Sequence, residues 1–199
     1  MGSKDRILRY KDKLRSDILC TAMDIMKSEG PSGVSIRKIA ERIEYTAPII
    51  YSYFENKQAI LVALSNSGYE LLNLEMDSIC KAEVGPEERL AGLLVAVWNF
   101  ANSHRPMFHL MYECGICSDD IADDFPGLIK FLDCIKRAIV QLKGESALCD
   151  SELQCKAYAA AALIHGLVAA NIFWKTDAQS SIGMRDDMIG AFVKSLRER

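Results

Sequence analysis

Apolar side chains recur at helical spacing along most of this chain. The first such stretch carries four apolar positions separated by three or four residues: Leu14, Ile18, Ala22 and Ile25. This spacing places them on one face of a helix that runs from about Asp12 to Lys27. The strict alternation that is typical of strands is scarce, and only five prolines and twelve glycines interrupt the chain. The pattern predicts an all-α fold of about nine helices.

Glycine, proline and N-cap residues mark the ends of the other helices. We expect helices at about 35–42, after Thr46, and at about 56–81, 87–103, 105–113, 126–143, 151–175 and 186–197. Residues 114–125 read as a loop. The balance of charge, which is positive over residues 1–72 and negative over residues 73–199, favours an N-terminal domain, 12–72, and a C-terminal domain, 73–199.

Residues 35–57, SIRKIAERIEYTAPIIYSYFENK, predict two short helices, a tight turn at Glu44 and Tyr45, and the start of a longer helix after Asn56. Ile50 and Phe54, four residues apart, should hold the second short helix against its neighbours. This is the build of a helix-turn-helix, whose second helix enters the DNA major groove. A plain three-helix packing unit with surface tyrosines is the alternative, and the combination of features makes it the weaker one.

The outward positions of the expected recognition helix are mostly small, hydroxylated or aromatic: Thr46, Ala47, Ile49, Tyr51, Ser52 and Tyr53. None carries the bidentate side chains that commonly read bases. Base readout there would rely on thymine methyl groups and on hydroxyl contacts. Arg37, at the start of the preceding helix, is placed to read guanine.

Tyr51, Tyr53 and Lys57 are expected to contact phosphates, which positions the protein without specifying sequence. Charge supports this assignment weakly. The whole chain has a net charge of −3. Residues 1–72 carry 11 basic against 9 acidic side chains, whereas residues 73–199 carry 13 against 18. The N-terminal part is therefore the more favourable for DNA. Six basic residues among the first 15 would form either a DNA-contacting arm or a solvated tail.

At these positions the chain resembles the tetracycline-repressor-like (TetR/AcrR) family of bacterial regulators. The resemblance covers about residues 12–72. It rests on Ile18-Leu19, Ala22, Gly30, Ser35, Arg37, Ile39-Ala40-Glu41, Ile50-Tyr51, Tyr53-Phe54, Asn56-Lys57 and Ala59-Ile60-Leu61. One departure is Glu44, where the family usually has glycine in the turn. A side chain there must either accept left-handed backbone geometry or use another turn.

The resemblance implies a homodimeric repressor that binds a pseudo-palindromic double-stranded DNA operator and releases it when a small molecule enters the C-terminal domain. It also implies that the DNA-contacting residues are Ser35, Ile36, Arg37, Thr46, Ala47, Pro48, Ile49, Tyr51, Ser52, Tyr53 and Lys57.

The C-terminal part is rich in aromatic and methionine side chains, which typically line pockets for partly apolar ligands. Its resemblance to one class of TetR C-terminal domain is weaker and identifies no ligand. The candidate ligand-binding residues are Trp98, Asn102, His104, Met107, Phe108, Met111, Tyr112, Phe131, His165 and Phe173. Ordinary core packing is the competing interpretation for each of them.

Small residues repeat every four positions at Ala162, Gly166 and Ala170, which permits close approach of another helix. With the last helix, this stripe suggests a homodimer interface formed by two helices from each copy. Packing within one chain is the alternative, and the family resemblance favours the dimer.

Ala157–Trp174 is long enough to be a membrane candidate. Its His165, Gly166 and Asn171 fit a buried bundle helix better, so we expect no membrane span. The N-terminus has no apolar signal segment. Seven cysteines, an odd number, favour free thiols in a reducing compartment, which predicts a cytoplasmic protein.

Cys114 and Cys117 form a single CxxC pair, with His104 and His109 upstream. A redox- or metal-responsive regulator is therefore an alternative function. A thiol enzyme without a DNA role is a more remote one, because no orienting residue or oxyanion motif accompanies the thiols. Neither a resident metal, a cofactor nor a catalytic residue is expected.

Overall fold

The computed structural model describes residues 3–116, 124–144 and 148–197. Within these ranges the regular structure consists of nine α-helices and one short 3₁₀ turn, without a strand. The expected all-α class is therefore confirmed. The helices are α1 (Ser3–Glu29), α2 (Ile36–Arg42), α3 (Ala47–Tyr51), α4 (Lys57–Cys80), α5 (Pro86–Ser103), α6 (Arg105–Ile116), α7 (Pro126–Lys143), α8 (Asp150–Trp174) and α9 (Ala178–Arg197), and the 3₁₀ turn is Pro31–Gly33.

Two helix starts differ from the sequence expectation. Helix α1 begins at Ser3, so the basic N-terminal residues from position 3 onward are helical and form neither an extended arm nor a tail. Helix α9 begins at Ala178, not at Asp186. The side chain of Asp177 accepts the backbone N–H groups of Gln179 and Ser180, each at 3.0 Å, which caps the helix eight residues earlier than expected.

Helix α6 also runs into the segment that we expected to be a loop, since it ends at Ile116. Residues 117–123 of that segment, including Cys117 of the CxxC pair, lie outside the described residues.

Packing divides the chain into two compact units. The first contains Met1–Gly68 with Pro106–Asp124, and the second contains Tyr69–Arg105 with Phe125–Arg199. Helix α6 thus belongs to the N-terminal unit, although it lies within the segment 73–199. The functional division into 12–72 and 73–199 stays a prediction.

In the first unit, isoleucines from three helices form a shared core. Ile18 of α1, Ile39 of α2 and Ile50 of α3 are all completely buried. Phe54, just after α3, is 5% exposed. The expected anchoring of the second short helix by Ile50 and Phe54 is therefore observed.

In the second unit, α5, α7, α8 and α9 pack against one another. Leu90, Leu93, Ile135 and Ile139 are completely buried in this bundle. Helix α8 is the one described helix that is long and apolar enough to cross a membrane, and 28% of its apolar stretch is buried. Its buried residues, Ala157, Ala160, Ile164, Leu167 and Val168, lie on one side, so the expected bundle helix is buried only in part.

The turn between α2 and α3 has a specific backbone geometry. The Tyr45 N–H donates to the Ala40 carbonyl at 2.9 Å, and the Glu44 N–H donates to the Glu41 carbonyl at 3.3 Å. This pair of bonds is the Schellman motif, which requires a left-handed residue after the helix. Glu44 occupies that position with φ of 58°. Of the two possibilities open from sequence, the side chain accepts left-handed geometry.

We expect Glu44→Gly to stabilise the protein by about 1 kcal/mol, because left-handed geometry costs a residue with a Cβ roughly 1–2 kcal/mol and glycine's extra unfolded-state entropy offsets part of the gain. The midpoint of thermal unfolding measures the effect. Glu44→Ala is the matched control, since alanine removes the carboxylate and retains the strained backbone. An equal gain in both variants would mean that the charge of Glu44 is responsible.

Candidate nucleic-acid interface

Helix α2 begins with an N-cap residue whose side chain forms the capping hydrogen bond. The Ser35 hydroxyl oxygen accepts the Lys38 backbone N–H at 3.3 Å, as expected from the sequence. Arg37, in the first turn, is exposed. Ile36 is 8% exposed and belongs mainly to the core, so the free protein offers little of it to DNA.

Helix α3 has only five residues, and its outward side carries most of the candidate contacts. Thr46, Pro48 and Ser52 are exposed, as are Ile49 and Tyr51, of which Tyr51 has 55% of its surface free. The Thr46 hydroxyl makes no capping bond. The Ser52 hydroxyl donates to the Ile49 carbonyl at 2.7 Å, which leaves its oxygen as an acceptor.

The start of α4 closes the candidate surface. The Asn56 side-chain oxygen accepts the Ala59 N–H at 2.9 Å, which is the cap that the sequence predicted. Lys57, the first residue of α4, and Tyr53 are half-buried. Their partial burial restricts their side-chain freedom and so lowers the entropy lost on binding.

An ion-pair cluster links α1 to α2 beside this surface. The Glu29 carboxylate binds the Lys38 ammonium and the Arg42 guanidinium, the latter at 3.2 Å. Its pKa lies below the usual value, chiefly because of the hydrogen bond from Lys38. Among the described contacts, Arg37 and Lys57 form no ion pair, so both cations remain available to an incoming phosphate or base edge.

Two further contacts position the helix-turn-helix, and sequence reasoning missed both. The hydroxyl groups of Tyr10 in α1 and Tyr45 in the turn lie 2.9 Å apart. This hydrogen bond is the main cause that raises the pKa of Tyr45. The Arg15 guanidinium lies over the Phe54 ring, 5.2 Å from its centroid, which is a cation–π distance. The partners are 35 or more residues apart, so no local pattern reveals them.

The candidate ligand-binding residues fall into both compact units. Met107, Phe108, Met111 and Tyr112 belong to the first unit. Met107 and Met111 pack over Gly68 of α4 so closely that a Cβ at Gly68 would lie 2.5 Å from the Met111 sulfur. A groove of about 510 Å³ in this unit is lined mostly by α1 and includes Met107 alone among the ten candidates.

The other six candidates lie in the second unit and differ in their surroundings. Trp98 lies under the Arg185 guanidinium, 4.9 Å from the ring centroid, and His104 stacks on Phe100 at 4.7 Å. Within the described part of the chain, Trp98 Nε1 and His104 Nδ1 are buried without a hydrogen-bond partner.

The remaining four candidates differ in how well their surroundings fit a ligand pocket. The Asn102 amide donates to the Trp98 carbonyl at 2.8 Å, and the Phe131 ring lies 6.3 Å from that of Tyr69. His165 is half-buried. Phe173 is 81% exposed and therefore cannot line an enclosed pocket within one chain. No group of three or more histidine, cysteine or acidic side chains with metal-binding geometry occurs among the described residues.

Comparison with known proteins finds a family that the N-terminal segment is similar to. Residues 18–64 match the family described as bacterial regulatory proteins, tetR family. The class C tetracycline repressor protein of Escherichia coli is 34% identical over 53 residues, which cover 27% of this chain and 24% of that protein. The chain thus spans about a quarter of the length of the curated relatives it matches.

Solved structures match almost the whole chain in fold. A Rhodococcus sp. RHA1 protein of unknown function has a TM-score of 0.73 and 22% identity, over 93% of both chains. The transcriptional regulator FadR from Bacillus subtilis, solved in complex with stearoyl-CoA, has a TM-score of 0.68 and 12% identity, over 89% of this chain and 97% of that one.

We expect Glu29→Gln to reduce stability at neutral pH and to flatten its acid dependence. A carboxylate with a depressed folded-state pKa stabilises the protein above its unfolded value of 4.5, and this contribution is lost as the pH falls through the lower folded value. Thermal unfolding between pH 3 and pH 7 tests this, with Glu55→Gln as an exposed control. Parallel curves for wild type and Glu29→Gln would refute the linkage.

Proposed function

We propose that residues 18–64, which match the tetR family, form a DNA-binding domain, and that the whole protein is a sequence-specific transcriptional repressor. It acts as a homodimer, binds a pseudo-palindromic double-stranded operator, and releases it when a small molecule binds its C-terminal unit. A dimer sets two recognition helices roughly 34–36 Å apart, the spacing of successive major grooves on one side of DNA.

The observation that carries this proposal is the surface formed by α2, α3 and the start of α4. Its exposed residues include Thr46, Ile49 and Tyr51, while Ile50 beneath them is completely buried. Arg37 and Lys57 flank the surface as cations outside the described ion pairs. A rigid apolar and hydroxylated face between available cations suits base contacts framed by phosphate contacts.

An uncovered face on α8 and α9 supports the homodimer. Ile172, Phe173 and Trp174 are 58%, 81% and 63% exposed, and Ile182 and Met188 on α9 are exposed as well.

Three glycines on α8 and α9 argue in the same direction. A Cβ added at Gly166, Gly183 or Gly190 would meet no atom within 4 Å among the described residues. Packing within one chain, the alternative left open by sequence, therefore does not account for the small-residue stripe. A second copy of the face would cover it.

The effector is proposed to be a partly apolar small molecule. The FadR structure, similar in fold, contains stearoyl-CoA. In this chain the buried, unpartnered Trp98 Nε1 and His104 Nδ1 are polar atoms that a ligand would satisfy, because buried polar groups normally have partners.

A regulator of this kind acts in the cytoplasm and performs no catalysis. The comparisons give no support to the redox- or metal-responsive alternative through Cys114 and Cys117, and Cys117 lies outside the described residues. The thiol enzyme leaves the helix-turn-helix without a role.

We expect Arg37→Ala and Lys57→Ala to weaken DNA binding in different ways. Loss of a bidentate guanine contact removes roughly 1–3 kcal/mol of discrimination, so Arg37→Ala should lose affinity mainly for the operator. Loss of a phosphate contact weakens binding to all sequences and lowers the salt slope by about 1. Titrations over a salt series separate the two effects, using DNA from directly upstream of the protein's own gene as the candidate operator and random DNA as the comparison.

Tyr51→Ala should behave like Lys57→Ala in losing affinity for both DNAs, but its salt slope should stay unchanged because it loses no charge. Lys38→Ala is the control cation, since Lys38 is held by Glu29. Equal losses on operator and random DNA for Arg37→Ala would contradict its assignment as the base-reading residue. Absence of any binding at low salt would contradict the proposed function itself.

We expect Gly166→Gln to convert a dimer into a monomer. The longer side chain finds free space in a single chain, so the fold tolerates it, but it prevents close approach of a second copy. Sedimentation velocity gives the oligomeric state, and circular dichroism verifies folding. Gly85→Gln, at another glycine with no neighbouring atoms, should remain dimeric. A dimeric Gly166→Gln protein would exclude this face as the interface.

A further inference from the structure

Two thiols that play no part in the proposed DNA or ligand sites face each other in the second unit. Cys80 is the last residue of α4, and Cys134 lies in α7. Their sulfur atoms are 3.0 Å apart, although 54 positions separate the residues in sequence. Cys134 is 4% exposed, while Cys80 is half-buried and therefore reachable by a small solute.

Two independent contacts hold the thiols in this register. The Asn73 amide donates to the Gly127 carbonyl at 3.0 Å, and the Asp77 carboxylate pairs with the Lys130 ammonium at 3.6 Å. Positions 73, 77 and 80 share one face of α4, and positions 127, 130 and 134 share one face of α7, because each set follows helical spacing. The two cysteines form the third contact of this series.

The surroundings give the two thiols different reactivities. Burial, and then the contact with Cys80, raises the pKa of Cys134 to about 12, against a smaller opposing effect of Arg137. Cys134 therefore keeps its proton at neutral pH, and one of the two thiols donates a hydrogen bond to the other. Cys80 is the thiol with access to solvent, and a thiolate is the form that attacks an oxidant.

We propose that Cys80 and Cys134 are a peroxide-oxidisable pair that forms a disulfide between α4 and α7. This site is separate from the CxxC pair at Cys114 and Cys117. It does not depend on the proposed DNA-binding function.

The reaction balances with hydrogen peroxide as the oxidant. The Cys80 thiolate attacks one peroxide oxygen, the O–O bond breaks, and the other oxygen leaves as water after taking a proton, which leaves a sulfenic acid. The Cys134 sulfur then attacks the Cys80 sulfur. The S–O bond breaks, and the hydroxyl departs as a second water with the Cys134 proton. Two thiols and one peroxide give one disulfide and two waters.

The other described free cysteines lack this arrangement. Cys20, Cys149 and Cys155 are exposed, and no described contact pairs any of them with another cysteine. They are expected to oxidise without an intramolecular partner. Because each is exposed, they serve as internal references for the accessibility of the oxidant.

The test is peroxide treatment of the full chain at low protein concentration, followed by alkylation of remaining thiols under denaturing conditions and peptide mapping without reduction. We expect a peptide pair joined through Cys80 and Cys134, lighter by two hydrogen atoms than the separate peptides, that a dithiol reductant converts back. Free thiols at both positions after the exposed cysteines have reacted would overturn the proposal. A Cys80 disulfide with any other cysteine would overturn it equally.

Variants separate the roles of the two thiols. In Cys134→Ala, the Cys80 sulfenic acid has no second thiol, so a dimedone adduct should accumulate at Cys80 several-fold above wild type. In Cys80→Ser, Cys134 should remain a free thiol after peroxide. Cys155→Ser is the control and should form the disulfide as wild type does. If the yield of the dimedone adduct at Cys80 were the same in Cys134→Ala as in wild type, Cys134 would not be the thiol that attacks the sulfenic acid, even if the wild-type protein forms the crosslink.

Discussion

The candidate DNA-binding surface depends on the burial of one side of a helix that is too short to be stable alone. Helix α3 has five residues, and isolated helices below about 12–15 residues are marginal in water. Its helical form is maintained by packing, because Ile50 is fully buried and Phe54 nearly so. Burial of one such side chain contributes roughly 1.5–3 kcal/mol. The exposed residues of α3 keep their positions because Ile50 on the opposite side is fixed.

Several contacts hold the residues directly before and after this short helix. A Schellman turn with left-handed Glu44 sets its entry, the Tyr10–Tyr45 hydrogen bond ties that turn to α1, and Arg15 lies over Phe54. Each contact acts on the backbone just before or after α3. Together these contacts stabilise a helix that is too short to be stable through its own backbone hydrogen bonds. A candidate DNA-binding surface built this way is preorganised, which would reduce the entropy lost on binding.

The second unit presents the opposite situation, with apolar surface left uncovered. Helix α8 buries Ala157, Ile164 and Leu167 on one side, yet Ile172, Phe173 and Trp174 at its C-terminal end are exposed. Exposed aromatic and aliphatic side chains on two neighbouring helices are unfavourable in water unless something covers them. The glycines with open space beside them allow a covering group to approach the backbone closely. A matching pair of helices from a second copy meets both conditions.

The sequence alone determined the helical class, most helix ends and the helix-turn-helix, because these follow from local spacing, N-cap residues and the burial of Ile50 and Phe54. The predicted start of α9 was eight residues too late, because the helix is capped by the single side chain of Asp177, which hydrophobic periodicity does not reveal. The ligand-binding candidates were grouped by composition, and composition cannot distinguish Met107 and Met111, packed on Gly68, from Phe173, which faces solvent. Only the tertiary structure decided which of them share a unit. It alone brought Cys80 to Cys134 and Tyr10 to Tyr45, because contacts between residues far apart in sequence depend on how whole helices pack.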